Sequence, residues 1–133
     1  MNRVLAEVNV PPLYGQVVVQ DPGTADLPEW ETGEERAIGS EHAVYVATRA
    51  DTDGGVTIRV VEGLDTGGLG DCVFDGDLSM TSPRLEVGNP IAAVLESVVI
   101  GGAGYVHLRV FVRPLELPAE VGVLIEPRDS TKL

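Results

Sequence analysis

The side chains of this sequence that could do chemistry are mostly carboxylates. The 133-residue chain has 21 Asp and Glu against 9 Lys and Arg, a formal net charge of −12. Seven of the carboxylates lie in segment 21–41, whose only basic residue is Arg36. In its stretch Leu27-Pro-Glu-Trp-Glu31, the only tryptophan stands between two glutamates. Dense negative charge speeds association with a basic partner, and an aromatic side chain within it is a plausible interface anchor.

Two interpretations of this acidic segment stay open. An acidic surface keeps a protein in solution without specific binding, and Trp30 and Leu27 would then form a lid over one end of the domain. In the other interpretation, the segment binds a basic protein such as a nuclease. The residues that would contact the partner are Asp26, Glu29, Trp30, Glu31, Glu34 and Glu35.

Residues of the types used in catalysis are few, and their spacing matches no known site. The two histidines, His42 and His107, fall on different predicted strands, and the spacings typical of zinc sites are missing. Ser40 lies two residues before His42, which does not assign a nucleophile and a base. The only cysteine, Cys72, cannot form an internal disulfide and is expected to be a small buried side chain. We therefore predict no catalytic residue, no metal site, no cofactor and no enzymatic activity.

The stretch Asp51-Thr-Asp-Gly-Gly55 resembles the start of a calcium loop, and Glu62 stands at the twelfth position. The intervening residues 56–61 have the alternating, β-branched pattern of a strand, so a turn is predicted there instead. The stretch Asp75-Gly-Asp77 is interpreted in the same way.

The charge also excludes classes of partner. Residues 1–80 hold 15 acidic and 4 basic side chains, and residues 81–133 hold 6 and 5. Binding to nucleic acid needs Lys and Arg for the phosphates, so no nucleic-acid partner is expected. No apolar run approaches the ~18 residues of a membrane span, and Glu7 interrupts the N-terminal apolar run. We expect a cytoplasmic bacterial protein with no membrane partner.

The candidate residues above are expected to lie on β-strands or on the turns between them. The chain has 21 valines, and they occur in short runs separated by Gly, Pro and Asp, which is typical of strands and turns. In the clearest run, Val106, Leu108, Val110 and Val112 alternate with Tyr105, His107, Arg109, Phe111 and Arg113. The predicted strands cover about 3–9, 15–20, 43–49, 55–62, 71–79, 84–88, 93–100, 104–113 and 121–126.

These elements predict an all-β, single-domain antiparallel β-sandwich of about eight or nine strands over residues 1–133, with a long acidic loop at 21–41. Glycine-rich turns at 51–55 and 101–104 predict two hairpins. The stretch 90–97 is the best candidate for one helical turn before a strand.

The order of these elements resembles the competence protein J family, whose known member inhibits a DNA-entry nuclease. The resemblance covers about residues 14–126. It lies in the strand at 14–21, the Leu-Pro-x-Trp group at 27–30, the strands at 42–49 and 56–61, and the glycine-aromatic strand at 104–114 that ends near proline. It implies a β domain that binds a nuclease.

We therefore predict a non-enzymatic inhibitor or immunity-like module that holds a basic partner through its acidic loop. The first alternative is a structural module that self-assembles into a homo-oligomer through a strand edge, with Phe111 on an otherwise polar face. The second alternative is a β-sandwich that binds a small ligand or calcium.

Overall fold

The computed structural model describes residues 2–91, 93–100 and 104–127. It contains ten strands and two short 3₁₀ turns, at Leu13–Gly15 and Asp51–Asp53. The strands are β1 (Arg3–Val10), β2 (Gln16–Gln20), β3 (Ala37–Gly39), β4 (Ala43–Ala47), β5 (Val56–Glu62), β6 (Asp71–Met80), β7 (Arg84–Asn89), β8 (Val94–Val99), β9 (Gly104–Arg113) and β10 (Glu120–Ile125). Within the described residues, no helix is long and apolar enough to cross a bilayer.

The strands form two five-stranded sheets, which confirms the predicted all-β sandwich. Sheet A has the order β1-β5-β10-β9-β6, and sheet B has the order β3-β4-β2-β7-β8. The pairing is antiparallel except between β5 and β10, which run parallel. That pair departs from the predicted antiparallel architecture, because strand patterns do not encode direction.

The core lies between the two sheets and follows the predicted alternation. On β9, Val106, Leu108, Val110 and Val112 all point inward and are buried. They meet buried valines and leucines from β2, β4 and β7 of the opposite sheet. Burial of this continuous aliphatic layer, at roughly 25 cal/mol per Å² of apolar surface, is the main term that stabilises the fold.

Three features of the strand connections were predicted wrongly. Segment 21–41 is not one loop, because the short strand β3 lies within it and pairs with β4. The turns at 51–55 and 101–104 do not form hairpins: β4 and β8 belong to sheet B, whereas β5 and β9 belong to sheet A. Turn residues show that the chain bends, but not which sheet it enters next. Residues 101–103 themselves lie outside the described part of the chain.

At 90–97, the predicted helical turn is instead a tight turn followed by β8. The amide of Ala93 donates to the carbonyl of Pro90. Residue 92 lies outside the described residues.

A second, smaller apolar cluster lies on the outer face of sheet A. Phe111, Val61 and Leu124 are buried there, and Leu69 packs against them. Phe111 is therefore covered within the chain, which removes it as a reason for self-assembly. Cys72, predicted to be buried, is exposed on the same face because it lies near the start of the edge strand β6.

The connection 63–70 that carries Leu69 is tied to its surroundings by polar contacts. Asn2 donates from Nδ2 to the carbonyl of Asp65 at 2.6 Å, and its Oδ1 accepts the amide of Asp65 at 3.0 Å. Arg113 donates to the carbonyl of Gly68 at 2.9 Å. These bonds hold Leu69 over the outer cluster.

Candidate functional site

Because β3 interrupts the predicted loop at 21–41, the name acidic loop is used from here on for residues 21–36 between β2 and β3. Two carboxylates anchor its base. Asp21 is buried and accepts the amide of Thr81 at 3.1 Å and its hydroxyl at 2.9 Å. Asp26 accepts the hydroxyl of Ser40 at 2.7 Å and the amide of His42 at 3.0 Å. These hydrogen bonds lower the pKa of Asp26, with the Ser40 bond as the largest cause. Asp26 thus ties the loop to the β3–β4 turn.

Trp30 fixes the middle of the acidic loop against the outer face of sheet B. Its indole Nε1 donates to Oε1 of Gln16, the first residue of β2, at 3.0 Å. The half-buried ring forms one wall of a recess of about 240 Å³ that Tyr14 and Ala47 also line. Leu27, in contrast, is 77% exposed. The prediction that Leu27 forms part of a lid over one end of the domain is therefore wrong.

The carboxylate of Glu35 binds the backbone at the tip of the acidic loop. Its carboxylate accepts the amides of Glu31 at 2.6 Å, Thr32 at 3.0 Å and Glu34 at 3.1 Å, and it also accepts the Thr32 hydroxyl. The Thr32 hydroxyl bond, followed by backbone hydrogen bonds from Glu35 itself, Glu31 and Thr32, lowers the pKa of Glu35 to about 2. Glu35 is therefore ionised at neutral pH and holds the backbone of the tip in one shape.

The three other predicted contact residues, Glu29, Glu31 and Glu34, have exposed side chains. Within the described part of the chain, their carboxylates form no ion pair, whereas Asp26, Trp30 and Glu35 are engaged in bonds inside the protein. The loop thus combines two kinds of residue. Three side chains set its shape, and three carboxylates face solvent.

An apolar groove lies directly beside the loop tip. It has a volume of about 730 Å³, and its lining includes Tyr14, Ala47, Thr48, Ile91 and Leu117. Gly33 of the loop tip also lines it. A neighbouring hollow of about 510 Å³ shares Gly33, Ala47, Thr48 and Leu117 and continues to Leu115 and Glu116. We call this continuous depression the end groove.

Two residues that line the end groove have backbone conformations unusual for their type. Tyr14 has φ 62° and Leu117 has φ 50°, in the left-handed region that non-glycine residues seldom occupy. Both side chains are largely exposed, at 82% and 67%. The backbone therefore holds two large apolar groups of the groove lining out in solvent.

The charges around the end groove are mostly negative. Among the described residues, Glu34, Glu35, Asp51 and Glu116 line it, and Arg36 is the only basic one. Arg36 is already neutralised, because it donates to Oε1 of Glu116 at 2.7 Å and to the carbonyl of Leu115 at 2.8 Å. The end groove thus combines exposed apolar side chains with a rim that is mostly negative.

His42 and Ser40 do not form a nucleophile–base pair. The Ser40 hydroxyl donates to Asp26, while Nδ1 of His42 lies 2.7 Å from the carbonyl oxygen of Ser79. That bond is the main reason why the pKa of His42 is raised. In the described ranges, no group of three or more His, Cys, Asp or Glu is arranged to hold a metal ion.

Two carboxylates of β6, Asp75 and Asp77, flank His107 on the outer face of sheet A. Nδ1 lies 2.8 Å from Asp77 and Nε2 lies 2.8 Å from Asp75. Ionised carboxylates only accept hydrogen bonds, so both contacts are hydrogen bonds only when the imidazole is doubly protonated. The bond to Asp77 is the largest cause of the raised pKa of His107.

We expect Asp77→Asn to bring the pKa of His107 down towards 6.5, the value of a histidine without such partners. NMR titration of the two imidazole rings measures this directly, with Asp71→Asn on the same strand as the control. Because the pKa is raised in the folded state, the stabilisation is fully present below pH 6.5 and is lost as the pH rises through the folded-state value. An unchanged pKa in the Asp77 variant would contradict the assignment.

The end groove was not predicted from the sequence. Its walls come from five stretches that are far apart in the sequence, around Tyr14, Gly33, Thr48, Ile91 and Leu117, and only the sandwich brings them together. The available signals were a turn at Gly15 and the prolines Pro114 and Pro118, and neither indicates a shared surface.

No protein-family model matches the sequence, and no curated protein sequence matches it significantly. Among solved structures, the fold is similar to the crystal structure of ComJ, inhibitor of the DNA degrading activity of NucA, from Bacillus subtilis. The TM-score is 0.71 at 12% identity, over 96% of this chain and 99% of that one. It is also similar to the structure titled crocagin biosynthetic gene J, with a TM-score of 0.62 at 9% identity, over 97% and 99% of the two chains. The resemblance seen in the sequence is thus confirmed for the fold.

Proposed function

We propose that this chain is a non-enzymatic inhibitor or immunity-like protein that binds a basic nuclease through its acidic loop. The observation that carries the proposal is the structure of that loop. Glu29, Glu31 and Glu34 face solvent without ion-pair partners in the described part of the chain, on a backbone held by other side chains. The shared fold of a nuclease inhibitor supports the same class of function.

Rigidity favours a binding role for the loop. An interface loop that is ordered before binding avoids the entropy cost of being ordered on contact. Here the base is tied by Asp26, the middle by Trp30 and the tip by Glu35. The backbone that carries the three exposed carboxylates is therefore held in place. A loop that served only to keep the protein in solution would not need these ties.

The charge of the loop suits a nuclease as partner. A nuclease binds the phosphates of DNA with Lys and Arg, so its active face is basic. An acidic loop would be attracted to that face, and it would block the DNA site by occupying it. The single cysteine suits the reducing cytoplasm of a bacterium, where we place the protein.

The test is capture followed by inhibition. The immobilised chain is exposed to a lysate of its source organism at low salt, and bound proteins are eluted with high salt and examined in a DNA-containing gel. We expect a basic protein that degrades DNA, and we expect the free chain to suppress that activity in solution at a one-to-one ratio. If the eluate never degrades DNA, or the chain leaves its activity unchanged, the proposal is wrong.

A further inference from the structure

The exposed apolar side chains and the charges of the end groove indicate which kind of partner segment would bind beside the acidic loop. We propose that the groove receives a segment of the partner in which one large apolar side chain is flanked by Lys or Arg. This inference rests on the proposed function, because it describes how the same partner would be recognised. It adds a second contact to the acidic loop, of a different chemical kind.

The apolar part of the inference rests on exposed side chains that have no role in the core. Tyr14, Ile91 and Leu117 all line the groove, and each is more than half exposed. Exposed apolar groups of this size around a depression, with a polar rim, are typical of a protein-binding surface. Covering them with a partner's apolar side chain would remove that surface from water.

The backbone conformations of Tyr14 and Leu117 also support the binding of a partner at the end groove. The left-handed conformations of Tyr14 and Leu117 are unfavourable for side chains that have a Cβ, and glycine would be favoured there if only the turn mattered. Residues in such conformations cluster at binding sites. The two side chains are therefore better explained by contact with a partner than by the stability of the fold.

The basic part of the inference rests on charge complementarity. Glu34 of the loop tip lines one part of the end groove and Asp51 lines the other, and neither carboxylate forms an ion pair in the described part of the chain. An apolar side chain flanked by Lys or Arg would place opposite charges against this rim. An acidic or phosphate-bearing segment would be repelled.

A second copy of this chain fits the groove poorly. Of the seven described arginines, six already donate hydrogen bonds within the chain: Arg3, Arg36, Arg49, Arg59, Arg84 and Arg113. The seventh, Arg109, lies next to the buried outer cluster on the outer face of sheet A. Within the described part of the chain, any arginine other than Arg109 would thus have to give up its own hydrogen bonds before a copy could supply a basic segment.

The experiment uses a phage-displayed library of random heptapeptides, selected on the intact protein and on the double variant Tyr14→Gly, Leu117→Gly. Glycine suits both backbone conformations, so we expect the melting temperature of the variant to be equal or higher. We expect the wild-type selection to enrich one large apolar residue flanked by Lys or Arg. The matched control, Val4→Ser with Val99→Ser, removes exposed valines elsewhere.

Synthetic versions of the enriched peptides are then titrated into labelled protein and followed by NMR. We expect shifts at Gly33, Ala47 and Thr48, and binding roughly tenfold weaker to the glycine variant but unchanged for the valine control. Equal binding to the glycine variant, an acidic or purely polar consensus, or no enrichment would overturn the inference. Self-association of the free chain that the glycine variant abolishes would also overturn it.

This test is separate from the test of function. Peptide binding is read without any nuclease, so a failed capture would leave the groove result standing. Conversely, a glycine variant that inhibits the captured nuclease as well as the wild type would overturn the groove inference and leave the proposed function intact.

Discussion

Replacing Phe111 by alanine is expected to lower the free energy of unfolding by about 3–5 kcal/mol, as for a phenylalanine in a protein core. The reason is that Phe111 is only 5% exposed, although it lies on the outer face of sheet A. The loss combines the transfer of the ring into water with the cavity left beneath Leu69. Urea unfolding of the two proteins with comparable m-values measures the difference.

Tyr105→Ala is the matched control for this prediction. Tyr105 lies on the same strand and the same face, but it is 71% exposed. We expect its replacement to change the free energy of unfolding by less than about 1 kcal/mol. Leu69→Ala should also be destabilising, and the double variant with Phe111→Ala should lose less than the sum, because the two side chains share one cluster. Additive losses would show that Leu69 does not cover Phe111.

Reversing the three solvent-facing carboxylates of the acidic loop is expected to slow association with the nuclease partner by about 100-fold at low salt. The triple variant is Glu29→Lys, Glu31→Lys, Glu34→Lys. Electrostatic steering of this kind accelerates association by 10–10³-fold, and a reversed sign replaces attraction by repulsion. The association rate constant from stopped-flow mixing with the captured nuclease measures the effect, and the difference should shrink as salt is raised.

The control for the charge reversal has the same net charge as the triple variant, but its three new lysines lie elsewhere on the surface. Asp71→Lys, Glu96→Lys, Glu126→Lys changes three exposed carboxylates that lie outside the acidic loop and line neither part of the end groove. We expect this protein to retain most of the wild-type rate. If both variants slow association equally, net charge alone drives binding and the acidic loop is not the contact surface.

The nine predicted strands all occur, because valine runs bounded by Gly, Pro and Asp are a local signal. Strand β3 was missed, since three residues at a sheet edge give too short a pattern to show alternation. The partners of each strand could not be predicted in the same way. The parallel pairing of β5 with β10 joins segments about 60 residues apart, and no local pattern specifies it.

For the candidate site, too, the sequence predicts local features but not the contacts between residues that are distant in the chain. Charge and the position of Trp30 indicated the acidic loop from the sequence alone. The sequence could not show which carboxylates are engaged, because that depends on where Ser40 and the Thr32 backbone lie relative to Asp26 and Glu35. Likewise, the alternation of β9 placed Phe111 on the outer face correctly but could not show that Leu69 covers it.

The position of β10 in sheet A also has a consequence for how the chain folds. It lies between β5 and β9, so it alone joins the β1–β5 pair to the β9–β6 pair. Sheet A therefore stays in two halves until β10, the last described strand, has left the ribosome. Contacts that join such distant segments slow folding, and the inward edges of β5 and β9 remain open to wrong pairing until then.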